Sequence, residues 1–229
     1  IDPSGWLGGD VRGKRVLCLA SGGGLQSALF AAAGAEVTVV DLSPLMIEQD
    51  RKVAARHGLR LRAIEASMDD LPMLSDGEFD LVIQPVSTCY VPSVLAVYRE
   101  VARVIRDGGI YVSQHKQPLN LQASPLPGTQ GYAVVEPYFR SGPLPPHLGN
   151  HEYRERGATE FLHRWDQLLG DLCKSGFWIE DLAEPRHADH SAEPGSFPHR
   201  SHFIPPYFTV KAVRRPRTDD TGTRLIVPG

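Results

Sequence analysis

The first half of the chain alternates short apolar runs with amphipathic segments, and this alternation limits the possible fold more than any other feature. Residues 15–20, 36–41 and 80–84 are rich in aliphatic and β-branched side chains and have the length of buried strands. Segments 24–33 and 44–57, which follow the first two runs, have the apolar spacing of helices. Strands that alternate with helices in this order predict βαβ units and a parallel sheet covered on both faces.

The rest of the chain supplies further elements, interrupted by one irregular stretch. The predicted strands are 61–65, 110–114, 177–182 and 207–213, the predicted helices are 92–105 and 158–174, and a turn is predicted at 107–109. Between 116 and 156, frequent prolines and glycines with scattered aromatic residues indicate an irregular insertion. We therefore expect one domain over residues 1–215, which includes this insertion, and a polar tail over 216–229.

Composition and charge argue against several classes of protein. The net charge is −3 and the isoelectric point is near 6.3, which does not suit a protein that binds nucleic-acid phosphates. The longest apolar stretches, such as 28–33, are far shorter than the roughly 20 residues of a membrane-spanning helix. Cys18, Cys89 and Cys173 are widely spaced, as is typical of free thiols in a reducing compartment. We expect a cytoplasmic protein without nucleic-acid or membrane partners, and its oligomeric state stays open.

A glycine-rich loop and an acidic residue stand in register with the first two predicted strands. The loop Ser21-Gly-Gly-Gly24 follows the first strand and opens a helix, and Asp41 ends the second strand. Glycines let the main chain approach a ligand closely, and the start of a helix offers unpaired N–H groups. An acid at the tip of the neighbouring strand can accept hydrogen bonds from both hydroxyls of a ribose. Together they predict a site for a nucleoside-type ligand; the alternative is that Asp41 caps the following helix.

The loop lacks the full glycine pattern of dinucleotide-binding proteins. That pattern reads Gly-x-Gly-x-x-Gly, whereas here Gly22 and Gly24 are followed by Ser27. The third glycine normally allows close packing of the helix on the strand, and the chain is also short for a separate substrate domain. An oxidoreductase with an NAD(P) cofactor is therefore the second choice.

Several motifs in a fixed order resemble those of class I S-adenosylmethionine-dependent methyltransferases. The first two are Val16-Leu-Cys-Leu-Ala-Ser-Gly-Gly-Gly24 and Ala33-Gly-Ala-Glu-Val-Thr-Val-Val-Asp41-Leu-Ser-Pro44. The middle ones are Met68-Asp-Asp-Leu-Pro72, Phe79-Asp-Leu-Val-Ile-Gln84 and residues 98–109. Residues 176–182 and 207–213 resemble the family's final hairpin, so the likeness covers residues 14–115 and 158–213.

This resemblance implies both a fold and an activity. The implied fold is an α/β, Rossmann-like three-layer sandwich around a mostly parallel seven-stranded sheet with an antiparallel last strand. The implied activity is methyl transfer from S-adenosyl-L-methionine to a small-molecule substrate by direct displacement. A module that binds S-adenosylmethionine without catalysis is the remaining alternative.

The resemblance also assigns roles to individual residues. It places Gly22 and Gly24 against the methionine part of the cofactor, Asp41 on the ribose, Leu42 beside the adenine and Gln84 beside the transferred methyl group. The full set of expected cofactor-binding residues is Ala20, Ser21, Gly22, Gly24, Asp41, Leu42, Ser67, Met68, Asp69 and Gln84.

Three positions depart from the family pattern. Cys18 stands where the family commonly has an acid in the first strand, and Ala20 stands where it has a glycine. Ser67 replaces the acid that usually binds the exocyclic amine of adenine, and Asp69 is near enough to substitute for it. These replacements indicate that cofactor binding is weaker or rearranged.

The catalytic groups are less well defined than the cofactor site. Methyl transfer from a sulfonium mainly requires alignment, and it needs a base only where the acceptor carries a proton. The candidate bases at the mouth of the predicted sheet are His115, His151 and His187. The candidate positioning groups are Tyr90, Glu152, Arg154 and His163.

Two histidine pairs have the spacing of metal ligands. They are His187-x-x-His190 and His199-x-x-His202, within a loop rich in proline. No cysteine is near them in the sequence, and methyl transfer needs no metal. We therefore expect no metal site.

Overall fold

The computed structural model describes residues 2, 4–146 and 153–216, which form an α/β sandwich around one seven-stranded sheet. The strands are β1 (Arg15–Leu19), β2 (Glu36–Asp41), β3 (Leu61–Glu65), β4 (Phe79–Gln84), β5 (Ile105–Lys116), β6 (Phe177–Ala183) and β7 (Tyr207–Arg214). The helices are α1 (Gln26–Ala32), α2 (Pro44–Arg56), α3 (Val94–Val104), α4 (Pro118–Gln122), α5 (Asp171–Lys174) and α6 (Phe197–Phe203). A 3-10 turn (Thr88–Tyr90) follows β4, and a π-helical turn (Asp166–Gly170) precedes α5.

The strand order is β3-β2-β1-β4-β5-β7-β6. Neighbouring strands from β3 to β5 are parallel, whereas β7 runs antiparallel to both β5 and β6. This arrangement confirms the predicted Rossmann-like sheet with an antiparallel last strand. Within the described ranges, no helix combines the length and the apolar character needed to cross a membrane.

Alternate residues of β1 face opposite sides of the sheet and belong to two different cores. Leu17 and Leu19 pack in the core that also contains residues of α3 and α5. Val16 and Cys18 pack in the core that contains residues of α1 and α2. A central strand that is buried on both faces has no polar side to show, which is why β1 is an unbroken aliphatic run in the sequence.

Strand β5 is longer than predicted, because the expected turn at 107–109 lies inside it. Phe79 of β4 pairs with Ile105, and Leu81 pairs with Ile110. Two steps along β4 therefore correspond to five along β5, and the extra residues form an exposed bulge. The glycines there do break the regular ladder, but pairing resumes on both sides of them.

The predicted helix 158–174 is wrong over its first half. Regular helical structure begins only with the π-helical turn, and residues 158–164 are irregular. The main chain of this half is used in tertiary hydrogen bonds instead: Phe161 N–H donates to the carbonyl of Cys89 at 2.7 Å, and the carbonyl of Glu160 accepts from Leu144 at 2.7 Å. These contacts outweigh the helical spacing of the apolar residues.

Two short helices occur where the sequence indicated loops. Helix α6 is N-capped by Ser196, whose side chain accepts a hydrogen bond from the N–H of His199 at 3.4 Å. Arg200 in α6 is buried and donates to the main-chain carbonyls of Asn120 and Ala123 at the end of α4. The predicted polar tail lies outside the described residues from 217 onward.

Candidate functional site

A cavity of about 630 Å³ lies at the carboxyl ends of the first four strands. In a parallel sheet this is the edge where ligands bind. Six of the ten predicted cofactor residues line it, namely Ala20, Gly22, Asp41, Leu42, Ser67 and Met68. Four do not, namely Ser21, Gly24, Asp69 and Gln84.

The glycine loop turns between β1 and α1 through three residues with left-handed backbone. Gly22, Gly23 and Gly24 have φ of +73°, +91° and +83°. A Cβ on Gly23 would lie 2.9 Å from Met46 Sδ, and one on Gly24 would lie 2.9 Å from Val53 Cγ2. A Cβ on Gly22 would meet no atom within 4 Å. The loop therefore packs against α2 through its last two glycines and is open at Gly22.

Ala20 has a left-handed backbone conformation, which glycine adopts more readily than other residues. Its φ is +50°, the one positive value at a non-glycine residue in the described chain. An L-residue in this region is strained by roughly 1–2 kcal/mol, which the alanine tolerates because its side chain is small.

Asp41 ties the glycine loop to the start of α2. Its Oδ2 accepts a hydrogen bond from Gly22 N–H at 3.1 Å, and its Oδ1 accepts one from Ser43 N–H at 2.9 Å. The N-cap of α2 is Ser43, whose hydroxyl accepts from Met46 N–H at 3.4 Å. Asp41 is thus not the helix cap. Each carboxylate oxygen can accept a second hydrogen bond, and the residue lines the cavity.

The wall predicted to contact adenine is formed by the loops after β2 and β3. Leu42 is 68% exposed and lines the cavity together with Ser67 and Met68. The hydroxyl of Ser67 donates to Oδ1 of Asp69. Asp69 therefore does not line the cavity itself, but it orients the hydroxyl of Ser67, which does.

Gln84 lies one layer below the cavity. Its side chain is buried, and its Nε2 donates to Ser87 Oγ at 2.9 Å and to Met68 Sδ at 3.1 Å. Its Oε1 accepts from the hydroxyl of Tyr111. Ser87 and Met68 both line the cavity, so Gln84 positions the wall without bordering it.

The candidate base His115 lies in the core and not at the mouth of the sheet. Its ring is fully buried and is hydrogen-bonded to the hydroxyls of Thr88 at 2.9 Å and Ser113 at 2.8 Å. Burial lowers the pKa of His115 to about 3, so the ring is neutral at physiological pH. The expected position is therefore wrong, and the observed one favours a structural role.

The candidate base His187 does not line the cavity. His187 is exposed and packs against Phe197 and Tyr207, with ring centroids 5.6 and 5.5 Å away. His151 and Glu152 lie outside the described residues. In the part of the chain that the structure describes, no three His, Cys, Asp or Glu side chains are grouped to hold a metal.

Tyr90 and Glu155 form a hydrogen-bonded pair in the wall of the cavity. The Tyr90 hydroxyl donates to Glu155 Oε2 at 2.7 Å, and both residues line the cavity. Burial, with the nearby Cys89 and Glu155, raises the pKa of Tyr90 well above its usual value, so the hydroxyl keeps its proton. Among the described residues that line the cavity, Asp41 and Glu155 are the only charged ones. Sequence reasoning missed Glu155, because its partner lies 65 residues away.

The segment that carries Glu155 is fixed by a buried ionic cluster. Glu160 is fully buried, and its two oxygens accept from Nζ of Lys116 and Nε of Arg154. Lys116 ends β5, so the cluster joins the insertion to the edge of the sheet. One carboxylate between two cations satisfies both, at the cost of desolvating all three groups.

The same segment is also bound to the 3-10 turn after β4. The Nε2–H of His163 donates to the carbonyls of Thr88 at 2.9 Å and Val91 at 3.0 Å. Burial lowers the pKa of His163, so the neutral ring acts as a donor to the main chain. Of the three predicted positioning groups that the structure describes, only Tyr90 therefore lines the cavity, while Arg154 and His163 hold its wall in place.

Comparison with known proteins gives one family. The family described as "Methyltransferase domain" matches residues 17–113. The "Uncharacterized methyltransferase YbaJ" of Bacillus subtilis is 35% identical over 187 residues, which are 80% of this chain and 73% of that protein. A "Ubiquinone biosynthesis O-methyltransferase" of Xanthomonas oryzae pv. oryzae is 32% identical over 162 residues, which are 68% of this chain and 62% of that protein.

A solved structure agrees with these relatives. The S-adenosylmethionine-dependent methyltransferase of Mesorhizobium loti aligns with a TM-score of 0.70 at 25% identity, over 90% of this chain and 93% of its own. The strand order, the cavity at the carboxyl ends of the strands and the relatives all indicate the same family. The chain belongs to the class I S-adenosylmethionine-dependent methyltransferases.

Proposed function

We propose that this methyltransferase acts on a small-molecule acceptor, which enters the cavity between the glycine loop and the Tyr90–Glu155 pair. The cavity volume of about 630 Å³ falls within the range of pockets that enclose small ligands. A relative named for O-methylation in ubiquinone biosynthesis also favours a metabolite over a macromolecule. The observation that carries the proposal is this cavity, which both Asp41 and Glu155 line.

The residues around the cavity fit S-adenosylmethionine. Gly22 leaves open space where any other residue would place a Cβ, next to the position expected for the methionine part. Asp41 has one unused acceptor site on each oxygen, which matches the two hydroxyls of a ribose. Leu42 and Met68 provide apolar surface for adenine, with Ser67 for its polar edge. When bound, the cofactor would supply a methyl group on a positively charged sulfur, and this sulfur leaves as a neutral thioether when a nucleophile attacks the methyl carbon.

The electrostatics of the wall favour particular acceptors. Both charged side chains that line the cavity are carboxylates, so its potential is negative. A negative cavity stabilises a cationic ligand and disfavours an anionic acceptor. We therefore expect an acceptor that is neutral or cationic near the reacting atom.

Glu155 is the group that we assign to proton transfer. A hydroxyl acceptor must lose its proton during displacement, and a carboxylate within reach can accept it. The hydrogen bond from Tyr90 holds this carboxylate at the wall, while the Glu160 cluster fixes the segment behind it. His151 and His187 stay predictions for this role.

The acceptor class can be tested with labelled S-adenosylmethionine. The protein is incubated with methyl-labelled cofactor and a cell extract divided into metabolite, protein and nucleic-acid fractions. We expect label in the metabolite fraction, loss of transfer in Asp41→Ala, and normal transfer in Glu65→Ala. Glu65 is a suitable control because it pairs with Asp41 at the tip of β3 and is exposed, but does not line the cavity.

Other outcomes would contradict the proposal. Label in the protein or nucleic-acid fraction would show a macromolecular acceptor. Tight binding of S-adenosylhomocysteine without transfer to any fraction would favour the non-catalytic binding module.

A further inference from the structure

Asp50 of α2 is a buried carboxylate directly beneath the glycine loop. Its side chain is fully buried, and its Oδ1 accepts hydrogen bonds from Gly24 N–H at 2.9 Å and from the hydroxyl of Ser27. Its Oδ2 has no hydrogen-bond partner in the described structure. Asp50 does not line the cavity, so it contacts the loop on the side away from the cavity.

The burial of this carboxylate is costly, which indicates a specific use. Of the ion pairs formed by described residues, none involves Asp50, so no cation offsets its charge. Burial of a carboxyl group without a cation is costly unless hydrogen bonds compensate for the lost water. The hydrogen bonds of Asp50 all go to the loop and to the first turns of α1.

Two carboxylates hold the loop from opposite ends. Asp41 binds the N–H of Gly22, and Asp50 binds the N–H of Gly24. Both flank Gly23, whose missing Cβ allows contact with the side chains of Gln49 and Met46 on the same helix as Asp50. The main chain at Gly22, which borders the cavity, is therefore positioned by α2 as well as by β2.

The neighbour of Asp50 on the sheet is Cys18, the position where the family commonly has an acid. Cys18 and Ile47 of α2 share the same buried core. Burial, together with the charge of Asp50, raises the pKa of the Cys18 thiol to about 12, so this neighbour is neutral. An acid at both positions would place two negative charges together in a buried site, which explains why Cys18 is not acidic here.

We propose that Asp50 is a positioning residue for the cofactor: it supplies from α2 the carboxylate that the family resemblance leads us to expect on β1 at the position of Cys18. The departure noted at Cys18 is then a relocation of the charge and not a loss of it. The inference rests on the proposed use of this cavity for the cofactor. The inference goes further because it names the side chain that holds the glycine loop through the N–H of Gly24.

The test is a relocation of the carboxylate, read by the binding of S-adenosylhomocysteine in calorimetry and by thermal unfolding. We expect Asp50→Ala to weaken binding by at least about tenfold, since it removes charged hydrogen bonds to the loop. Addition of Cys18→Asp to this variant should restore most of the lost affinity. Cys18→Asp alone should lower the melting temperature, because two buried carboxylates then face each other. Glu48→Ala, an exposed change on the same helix, should bind like the wild type.

The measured affinities of these variants either support or overturn the proposed role of Asp50. Binding by Asp50→Ala within about threefold of the wild type would overturn the proposal. If Asp50→Ala does not fold, the double variant decides: recovery of folding and binding supports relocation, and failure to recover either one overturns it. Failure of the wild type itself to bind S-adenosylhomocysteine would instead overturn the proposed function, so the two failures are distinct.

Discussion

The exchange of Asp41 for alanine is the most direct test of the cofactor site. Each oxygen of this carboxylate already accepts one main-chain N–H, from Gly22 at 3.1 Å and from Ser43 at 2.9 Å, and retains one acceptor site for a ribose hydroxyl. Hydrogen bonds to a charged group contribute about 1.5–3 kcal/mol, and two bonds to one carboxylate do not add fully. Asp41→Ala should therefore weaken binding of S-adenosylhomocysteine by roughly tenfold to 150-fold.

Isothermal titration calorimetry with S-adenosylhomocysteine measures this change directly. Glu65→Ala is the matched control, because Glu65 ends the neighbouring strand in register with Asp41 and leaves the cavity wall untouched. Asp41→Asn should lose nearly as much affinity as Asp41→Ala, since its amide nitrogen would face a main-chain N–H. An affinity for Asp41→Ala within about threefold of the wild type would refute the ribose assignment. An equal loss in Glu65→Ala would show a general charge effect instead.

Three further predictions concern stability and catalysis. Glu160→Ala removes the carboxylate shared by two cations, the buried Lys116 and the partly buried Arg154, and should cost about 3–5 kcal/mol in urea unfolding; a loss below about 1 kcal/mol would contradict the buried cluster. In the unfolded chain the His115 ring takes up a proton as the pH falls below its ordinary pKa of 6.5. In the folded protein the same ring stays neutral down to about pH 3. Stability should therefore fall as the pH drops through this range, by about 1.4 kcal/mol per pH unit from this ring, and His115→Gln should flatten the slope. Glu155→Gln should keep its affinity for S-adenosylhomocysteine but lower the rate of label transfer to a hydroxyl acceptor by about 10²–10⁴-fold, and an unchanged rate would exclude it as the base.

The sheet and the centre of the cofactor site were predictable because their signals are local. Strands β2 and β3 have the predicted bounds. Strand β2 is an aliphatic run buried on both faces, which stands out in any sequence, whereas β3 is a partly exposed edge strand. The glycine loop and Asp41 lie on adjacent parallel strands, so the topology alone brings them together.

The rest of the site depends on contacts between distant parts of the chain. Asp50 lies 26 residues from Gly24, within a helix whose sequence gives no sign of a buried charge. Glu155 reaches Tyr90 over 65 residues, because residues 158–164 are held by hydrogen bonds to other segments and do not form the helix that their spacing favours. His115 has the right position along β5 for a catalytic group, but its side chain points into the sheet's core and not toward the ligand edge.

The cavity draws on the chain very unevenly. Every described residue that lines it comes before position 92, with the single exception of Glu155. The stretch after β5 thus adds one side chain to a pocket that the first 91 residues otherwise build. The stretch after β5 can therefore change during evolution, and with it the preference for an acceptor, while the residues expected to bind the cofactor stay the same. The Tyr90–Glu155 hydrogen bond joins these two parts of the chain.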